Sequence, residues 1–222
     1  MDDATLRGPW LILCEGQGDA AFFEHLIRER RLPDFEIKYP KEREPGGKDA
    51  FGKRLDALRI QPGFERLSAV IVVSDNDDNS DSSFQNIQRQ LDWAGYGVPT
   101  MPLEIARAAD FPAVVVLMLP WVNEPGVLET LCLQAACDWW PTLKLCLDAY
   151  CECAGTNAWK PSKQFKMRLR CLLSAACESD PNTSLVYAWS GEGRGELIPL
   201  AHPCFDRIAQ FLQVFQAYLA EH

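Results

Sequence analysis

The chain reads as an α/β protein, with a Rossmann-like, mainly parallel four-stranded sheet flanked by helices and a helical elaboration at its carboxyl-terminal end. Up to about residue 125, short apolar runs rich in β-branched residues alternate with amphipathic stretches. That alternation is characteristic of parallel strands, which need helical crossovers between them. Two of the apolar runs stop abruptly at acidic residues, as happens where buried strands deliver carboxylates to the carboxyl edge of a sheet. From residue 126 onward the pattern turns helical.

Residues 10–14 form the first expected strand, followed by an amphipathic helix over 19–31 with Ala21, Phe22, Leu26 and Ile27 near one face. Residues 35–39 read as a short strand. Residues 40–48, rich in Pro, Gly and charge, read as a loop, and 49–59 as a helix closed by Gln61, Pro62 and Gly63. The run 67–73 is the strongest strand, apolar on both alternations as in a sheet covered on both faces. Its helix spans 82–94 and stops at Gly95, and 114–119 supplies a fourth strand. Helices are expected over 128–137, 140–153, 162–177 and 205–220. The α/β core thus takes 1–125 and the helical elaboration 126–222; with no internal repeat or low-complexity linker between them, one integrated domain is preferred.

At 222 residues and 47% hydrophobic, the chain can bury a substantial core. The longest apolar stretch, 111–122, contains two prolines and is too short to span a bilayer, and the acidic start Met1, Asp2, Asp3 does not open a secretory signal. A cytoplasmic protein without a membrane partner is expected. The nine cysteines are an odd number scattered through apolar helices (Cys132, Cys137, Cys146, Cys171, Cys177), so reduced thiols used as small core residues are expected. Cys151 and Cys153 form a CxC that lacks the partners of a zinc site. A net charge of −9 argues against gripping nucleic acid through the overall field. Locally, Lys160, Lys163, Lys166, Arg168 and Arg170 form an acid-free stripe that suits either a phosphate backbone or solvent. Most of the remaining Lys and Arg lie between Arg28 and Arg59, interspersed with acids.

The chemistry concentrates at two places. After the first strand come Glu15, Gly16 and Asp19: the glycine suits a positive φ or close backbone approach, and the helix start sets Asp19 one turn from Glu15. The plainer reading is that Asp19 caps the helix and Glu15 is solvated. After the third strand, Asp75, Asp77, Asp78 and Asp81 fall within seven positions. Asp75 and Asp77 alternate on an extended segment and share a side, with Asn76 facing away, while Asp78 and Asp81 are expected to cap the next helix. Carboxylates gathered this way repel one another unless solvated or bound to a hard cation such as Mg²⁺.

An EGxxD after one strand and a DxD after another, in this order, resemble the Toprim domain of topoisomerases, primases and nucleases of the overcoming-lysogenization-defect type. The resemblance covers approximately residues 9–122. More particularly, the chain is similar to small standalone Toprim proteins related to those nucleases, which carry a later Gly-x-Leu-Glu segment and a tail lysine. Here Gly126, Val127, Leu128 and Glu129 follow the fourth strand, and Lys163 precedes a helix. The resemblance implies a Toprim fold and Mg²⁺- or Mn²⁺-dependent phosphodiester hydrolysis on DNA or RNA. It implies a catalytic set of Glu15, Asp75, Asp77 and Lys163, and metal ligands Glu15, Asp19, Asp75, Asp77 and Glu129. Glu124 stands as an alternative to Glu129, and Lys160 or Lys166 to Lys163. It also implies an ATPase partner, as in antiphage defence.

Two other classes compete. One is a noncatalytic module that binds nucleic acid or an ATPase through Trp139, Trp140 or the 160–170 helix. The other is an aspartate-based phosphatase using Asp75 and Asp77, which leaves Glu15 and Asp19 without a purpose and has Asn79 where that class places threonine or valine. His25, His202 and His222 sit in no ligand or nucleophile motif and are expected to be packed or superficial. The glycine-rich loop 190–196 lacks a Walker lysine, so phosphate cradling is not expected there.

Overall fold

The computed structural model describes residues 5–41, 44, 46–189 and 196–221. The sequence readings of Met1, Asp2 and Asp3, of most of the 190–196 loop and of His222 fall outside the described residues. In chain order the elements are β1 (Trp10–Leu13), α1 (Gln17–Arg30), β2 (Glu36–Lys38), α2 (Phe51–Leu58), β3 (Ala69–Asp75), α3 (Ser80–Ala94) and β4 (Ala113–Leu119). Then come α4 (Leu128–Trp139), α5 (Pro141–Cys153), α6 (Pro161–Ala176) and α7 (Asp206–Glu221). The strands form one sheet in the order β2-β1-β3-β4, and every pairing is parallel. The expected α/β architecture with a helical carboxyl-terminal elaboration is therefore the observed one.

Both faces of the sheet are covered, which is why its central strands are apolar at every position. Ile71, Val73, Val115 and Leu117 pack with α1 and the carboxyl-terminal helices, through Phe22, Phe23, Leu128, Leu172 and Phe215 among others. Val70, Val72, Val114 and Val116 face the other way, onto Phe51 and Leu55 of α2 and Ile87 and Leu91 of α3. All seven residues of β3 and of β4 are buried. β3 runs two residues further than the sequence suggests, so Asp75 ends the strand itself. Its carboxylate is held by the sheet and not by a loop.

The strand order decides where a ligand can sit. The chain passes from β1 to β2 on one side, then returns to place β3 on the other side of β1. The reversal opens a crevice at the carboxyl ends of β1 and β3, the position where open α/β sheets bind ligands.

Asn76 fixes the loops above that crevice. Its backbone N–H donates to Leu119 O (2.8 Å), and its side-chain amide donates to the carbonyls of Trp121 (2.9 Å), Val122 (3.2 Å) and Glu124 (2.8 Å). Asn76 is fully buried, and Ser83 Oγ donates to its carbonyl at 2.9 Å. Capping differs from expectation: Asn79, not Asp78 or Asp81, caps α3, accepting from Ser82 N at 2.9 Å. Asp78 instead accepts from Ser162 N (3.1 Å) and Ser162 Oγ (3.3 Å) and so caps α6, eighty-four residues away. No local pattern links those two positions.

Cys14, Cys132, Cys137, Cys151 and Cys177 are buried as small core residues, and all nine cysteines are free thiols. Cys146 departs from the expectation. It is exposed on α5, where Leu145 (70% exposed) and Tyr150 (52%) also face outward while Leu147 and Cys151 face the core. Among the described residues no helix is long and apolar enough to cross a membrane.

Replacing Asn76 by Ala leaves the carbonyls of Val122 and Glu124 without their donor, while Trp121 O keeps the Glu124 N–H, and each buried orphan costs about 1–3 kcal/mol. Asn76→Ala is expected to lower stability by roughly 2–3 kcal/mol in urea unfolding with an unchanged slope. A loss below about 0.5 kcal/mol, the size of an ordinary surface change, would show that the loop holds itself.

Candidate metal centre at the sheet's carboxyl edge

Glu15 follows β1 and lies across from β3, where Ser74 Oγ donates to Glu15 Oε2 at 3.4 Å. Asp19 stands in the first turn of α1, and its Oδ2 accepts the Gly16 N–H at 2.9 Å. The cap anticipated for Asp19 is thus real, and it aims the carboxylate back toward Glu15. Gly16 itself is extended (φ −149°), a conformation open to any residue, and a Cβ there would meet only Asp19 Oδ2 at 3.8 Å, so neither the positive φ nor the close backbone approach offered for it occurs.

Asp75, buried at the tip of β3, accepts the Leu128 N–H at 2.9 Å through Oδ1, and its Oδ2 lies 3.7 Å from Lys166 Nζ. The Leu128 amide is the first of α4, one of the helix-terminal donors that favour an anion. Glu129 stands beside it in the same first turn. The preceding turn needs its glycine: Gly126 has φ +141°, and a Cβ there would meet Thr130 Oγ1 at 2.7 Å and Pro120 Cδ at 3.1 Å. Its N–H donates to Asp77 O at 2.7 Å, which ties the DxD loop to the start of α4.

Glu15, Asp19, Asp75 and Glu129 are close enough to perturb one another. Burial, then the charge of Glu15, pushes the Asp19 carboxyl up to about 7, with Glu129 adding to the effect. Burial also raises Asp75 well above the usual carboxylate range, reinforced by Asp19, Glu129 and Glu15. Glu15 is raised by burial and by Asp77, against the opposing pull of Lys166 and Lys48. Burial works to lower Lys166, yet Glu129, Asp75, Glu15 and Asp77 together hold it above its ordinary value.

Asp77 stands apart from this group in its partner. Its backbone is left-handed (φ 50°), and its Oδ2 is 2.5 Å from Lys48 Nζ, so the DxD does not present two equivalent carboxylates. Lys48, which the sequence placed only at the end of a loop, is a residue of this site that sequence reasoning missed. Arg54 is another. Buried beneath the ends of β1 and β2, it donates to Cys14 O (2.6 Å) and Lys38 O (3.3 Å). It also lines a groove of about 1180 Å³ along the outer edge of β2, which does not include the carboxylates.

The alternatives the sequence left open lie in different surroundings. Glu124 is engaged by Arg207 at 2.6 and 3.1 Å, so Glu129 is the acid that joins the group. Lys166, not Lys163, reaches the carboxylates; Lys163 is exposed and has no ion-pair partner among the described residues. Of the acid-free stripe, Lys166 and Arg168 make ion pairs, Lys166 with Asp75 while remaining half-exposed and Arg168 with Asp148. Lys160, Lys163 and Arg170 remain at the surface. Trp140 donates to Leu197 O at 3.2 Å, whereas Trp139 is 53% exposed. His202 pairs with Asp138 at 3.1 Å and His25 contacts Arg28 at 2.5 Å, both away from the carboxylates.

An all-oxygen donor set, drawn from three separate segments and charged beyond what Lys166 neutralises, fits a hard divalent cation such as Mg²⁺ or Mn²⁺. Among the described residues no three acidic, cysteine or histidine side chains already form a finished metal shell, so these side chains would have to close around an ion.

The fold and the site together define an α/β protein with an acid-lined crevice at its topological switch point. The chain belongs to the family described as "Protein of unknown function (DUF3226)", which matches residues 9–216. No curated protein and no solved structure matches it.

The raised carboxyls carry a pH signature. Folded Asp19 keeps its proton until about pH 7, whereas the unfolded side chain loses it near the ordinary aspartate value of 3.8. The folded state therefore binds more protons between those values, and stability is present below the lower one and lost as pH rises through the upper. In EDTA, unfolding free energy is expected to fall from pH 5 to 7 by at most about 1.4 kcal/mol per pH unit for this proton. Asp19→Asn should flatten that slope; an equal slope in the variant would remove Asp19 as its source.

Proposed function

We propose that the protein is a divalent-metal-dependent phosphodiesterase acting on nucleic acid, in the manner of a Toprim nuclease. The observation that carries this reading is the meeting of Glu15, Asp19, Asp75 and Glu129 at the switch point of the sheet, where burial and mutual repulsion raise Glu15, Asp19 and Asp75 together. Glu15, Asp19, Asp75 and Glu129, with Asp77 at the rim, would hold one or two Mg²⁺ or Mn²⁺ ions. Such an ion, when bound, polarises a phosphoryl oxygen and supplies a hydroxide-like nucleophile near neutral pH.

The protein's own groups divide the remaining work. Asp75 is fixed by the Leu128 amide and the end of β3, so its other oxygen, the one facing Lys166, is held in place without side-chain ordering at the moment of reaction. Lys166 supplies a mobile ammonium beside Asp75, placed to stabilise charge developing on a phosphate. The exposed Lys160, Lys163 and Arg170 continue the same helix outward and suit backbone phosphates. An aspartate-based phosphatase would use Asp75 and Asp77 but leave the other three carboxylates unemployed. The resemblance that suggests the nuclease also suggests an ATPase partner that loads or activates it.

The test is cleavage of plasmid, single-stranded DNA and RNA with Mg²⁺ and Mn²⁺. Glu15→Ala and Asp75→Asn are expected to lower the rate by at least about 10²-fold, the cost of removing a group that stabilises the transition state. Lys166→Met should do likewise, while Lys163→Met stays within about threefold of the parent. Undiminished cleavage in both carboxylate variants would discard the site, and tight nucleic-acid binding without cleavage would put the noncatalytic module in its place.

A further inference from the structure

The strongest contact at the rim of the site is an ion pair. Lys48 Nζ lies 2.5 Å from Asp77 Oδ2, and both side chains are about one-third exposed (37% and 32%). The backbone beneath Lys48 is fixed. Gln90 Nε2 donates to Lys48 O at 2.6 Å, Gln90 Oε1 accepts from Gly52 N at 3.0 Å, and Asn86 Nδ2 donates to Asp49 Oδ1 at 2.7 Å. The short 3-10 turn Lys48–Ala50 is thereby fastened to α3, and only the four-carbon stem of Lys48 is free to swing.

Asp77 is held equally well on its main chain, by the Gly126 N–H at its carbonyl, with a left-handed φ of 50°. Neither residue gains its position from the other, so their ion pair can open without rearranging the loop. Half-exposed pairs of this kind are worth at most about 1 kcal/mol, which a nucleic-acid strand, bringing a series of singly charged backbone phosphates, can outcompete.

Charge counting gives the pair a purpose. Glu15, Asp19, Asp75, Asp77 and Glu129 are five carboxylates; among the described residues Lys166 and Lys48 are the two ammonium groups that face them, and the Arg54 guanidinium adds a third positive charge toward Glu15 and Asp19. Lys166 feels Glu129, Asp75 and Glu15 before Asp77, whereas Lys48 feels Asp77 first and Glu15 next. Lys166 thus serves the inner group and Lys48 the rim. An ammonium bonded to Asp77 occupies the carboxylate that a second divalent cation would need.

Resting on the phosphodiesterase reading, we propose that Lys48 is an internal counter-ion of Asp77 that exchanges partners when a nucleic-acid phosphate arrives. Its ammonium passes to the phosphate, and Asp77 is released to a second cation. The inner group, Glu15, Asp19, Asp75 and Glu129, binds one cation in the absence of substrate. Cation binding at Asp77 is coupled to nucleic acid, which keeps the complete two-cation site from forming on free metal alone.

The experiment counts Mn²⁺ bound to the protein by electron paramagnetic resonance of the free ion and by calorimetry, without nucleic acid and with a phosphorothioate-protected single strand. The parent is expected to bind one Mn²⁺ alone and a second with the strand. Lys48→Met is expected to bind two without the strand, the second at least tenfold more tightly than in the parent, and to raise KM for nucleic acid more than it lowers kcat. Lys48→Gln, also uncharged, should repeat both effects, and Lys48→Arg should restore the parental count. Equal Mn²⁺ counts and affinities in parent, Lys48→Met and Lys48→Gln overturn the role of Lys48 and leave the inner site standing. Failure of every form to bind even one Mn²⁺ overturns the metal reading and this inference together.

Discussion

The rest of the structure depends on one buried carboxylate. Asp75 ends the central strand of a sheet covered on both faces. One of its oxygens receives the first amide of α4, and the other faces Lys166 of α6. Through that single side chain the parallel sheet is joined to two helices of the carboxyl-terminal half. A charge in that position needs partners, because an unpaired ion taken out of water costs several kcal/mol. The amide and the ammonium supply them only in part, and three further acids stand close by. The crevice therefore gathers more carboxyl groups than its cations can neutralise, and the raised proton affinity of Asp19 and Asp75 is the result.

The excess is maintained by packing. Glu15 is carried by the register of β1 against β3, Asp19 by the cap it forms at α1, and Glu129 by the turn in which Gly126 has no room for a side chain. Each of these local arrangements would be satisfied without the others. Burial and their convergence raise the proton affinity of Glu15, Asp19 and Asp75, and a polypeptide under no other constraint would relieve it by a single outward-facing rotamer. Stored like-charge repulsion of this kind clusters at functional sites, where a ligand relieves it.

Much of this was legible in the sequence because it is periodic. The apolar runs at 67–73 and 114–119 read as doubly covered strands, and acids placed just after the first of them are expected at the carboxyl edge. The choice between Lys163 and Lys166 was legible in principle. At about 100° per residue, Lys166 lies roughly 60° from the buried Leu169 and Lys163 about 120°, so only the former borders the packed face. Lys48 and the Asp78–Ser162 contact were not legible, since they join segments 29 and 84 residues apart through loops that have no period. Cys146 misled for a related reason: α5 is apolar on both its faces, and composition does not say which one the core takes.

The clamp between Asp78 and the start of α6 has a consequence for how such a chain can diversify. The helical half cannot be exchanged as a cassette, because the acids of the 75–78 segment terminate a strand, hold a rim cation and begin a distant helix within four consecutive residues. A chimaera that imports a new tail must import this tetrad with it, or lose the axis along which Lys166 is aimed. Drift in the tail is thereby tethered to the least mutable corner of the sheet.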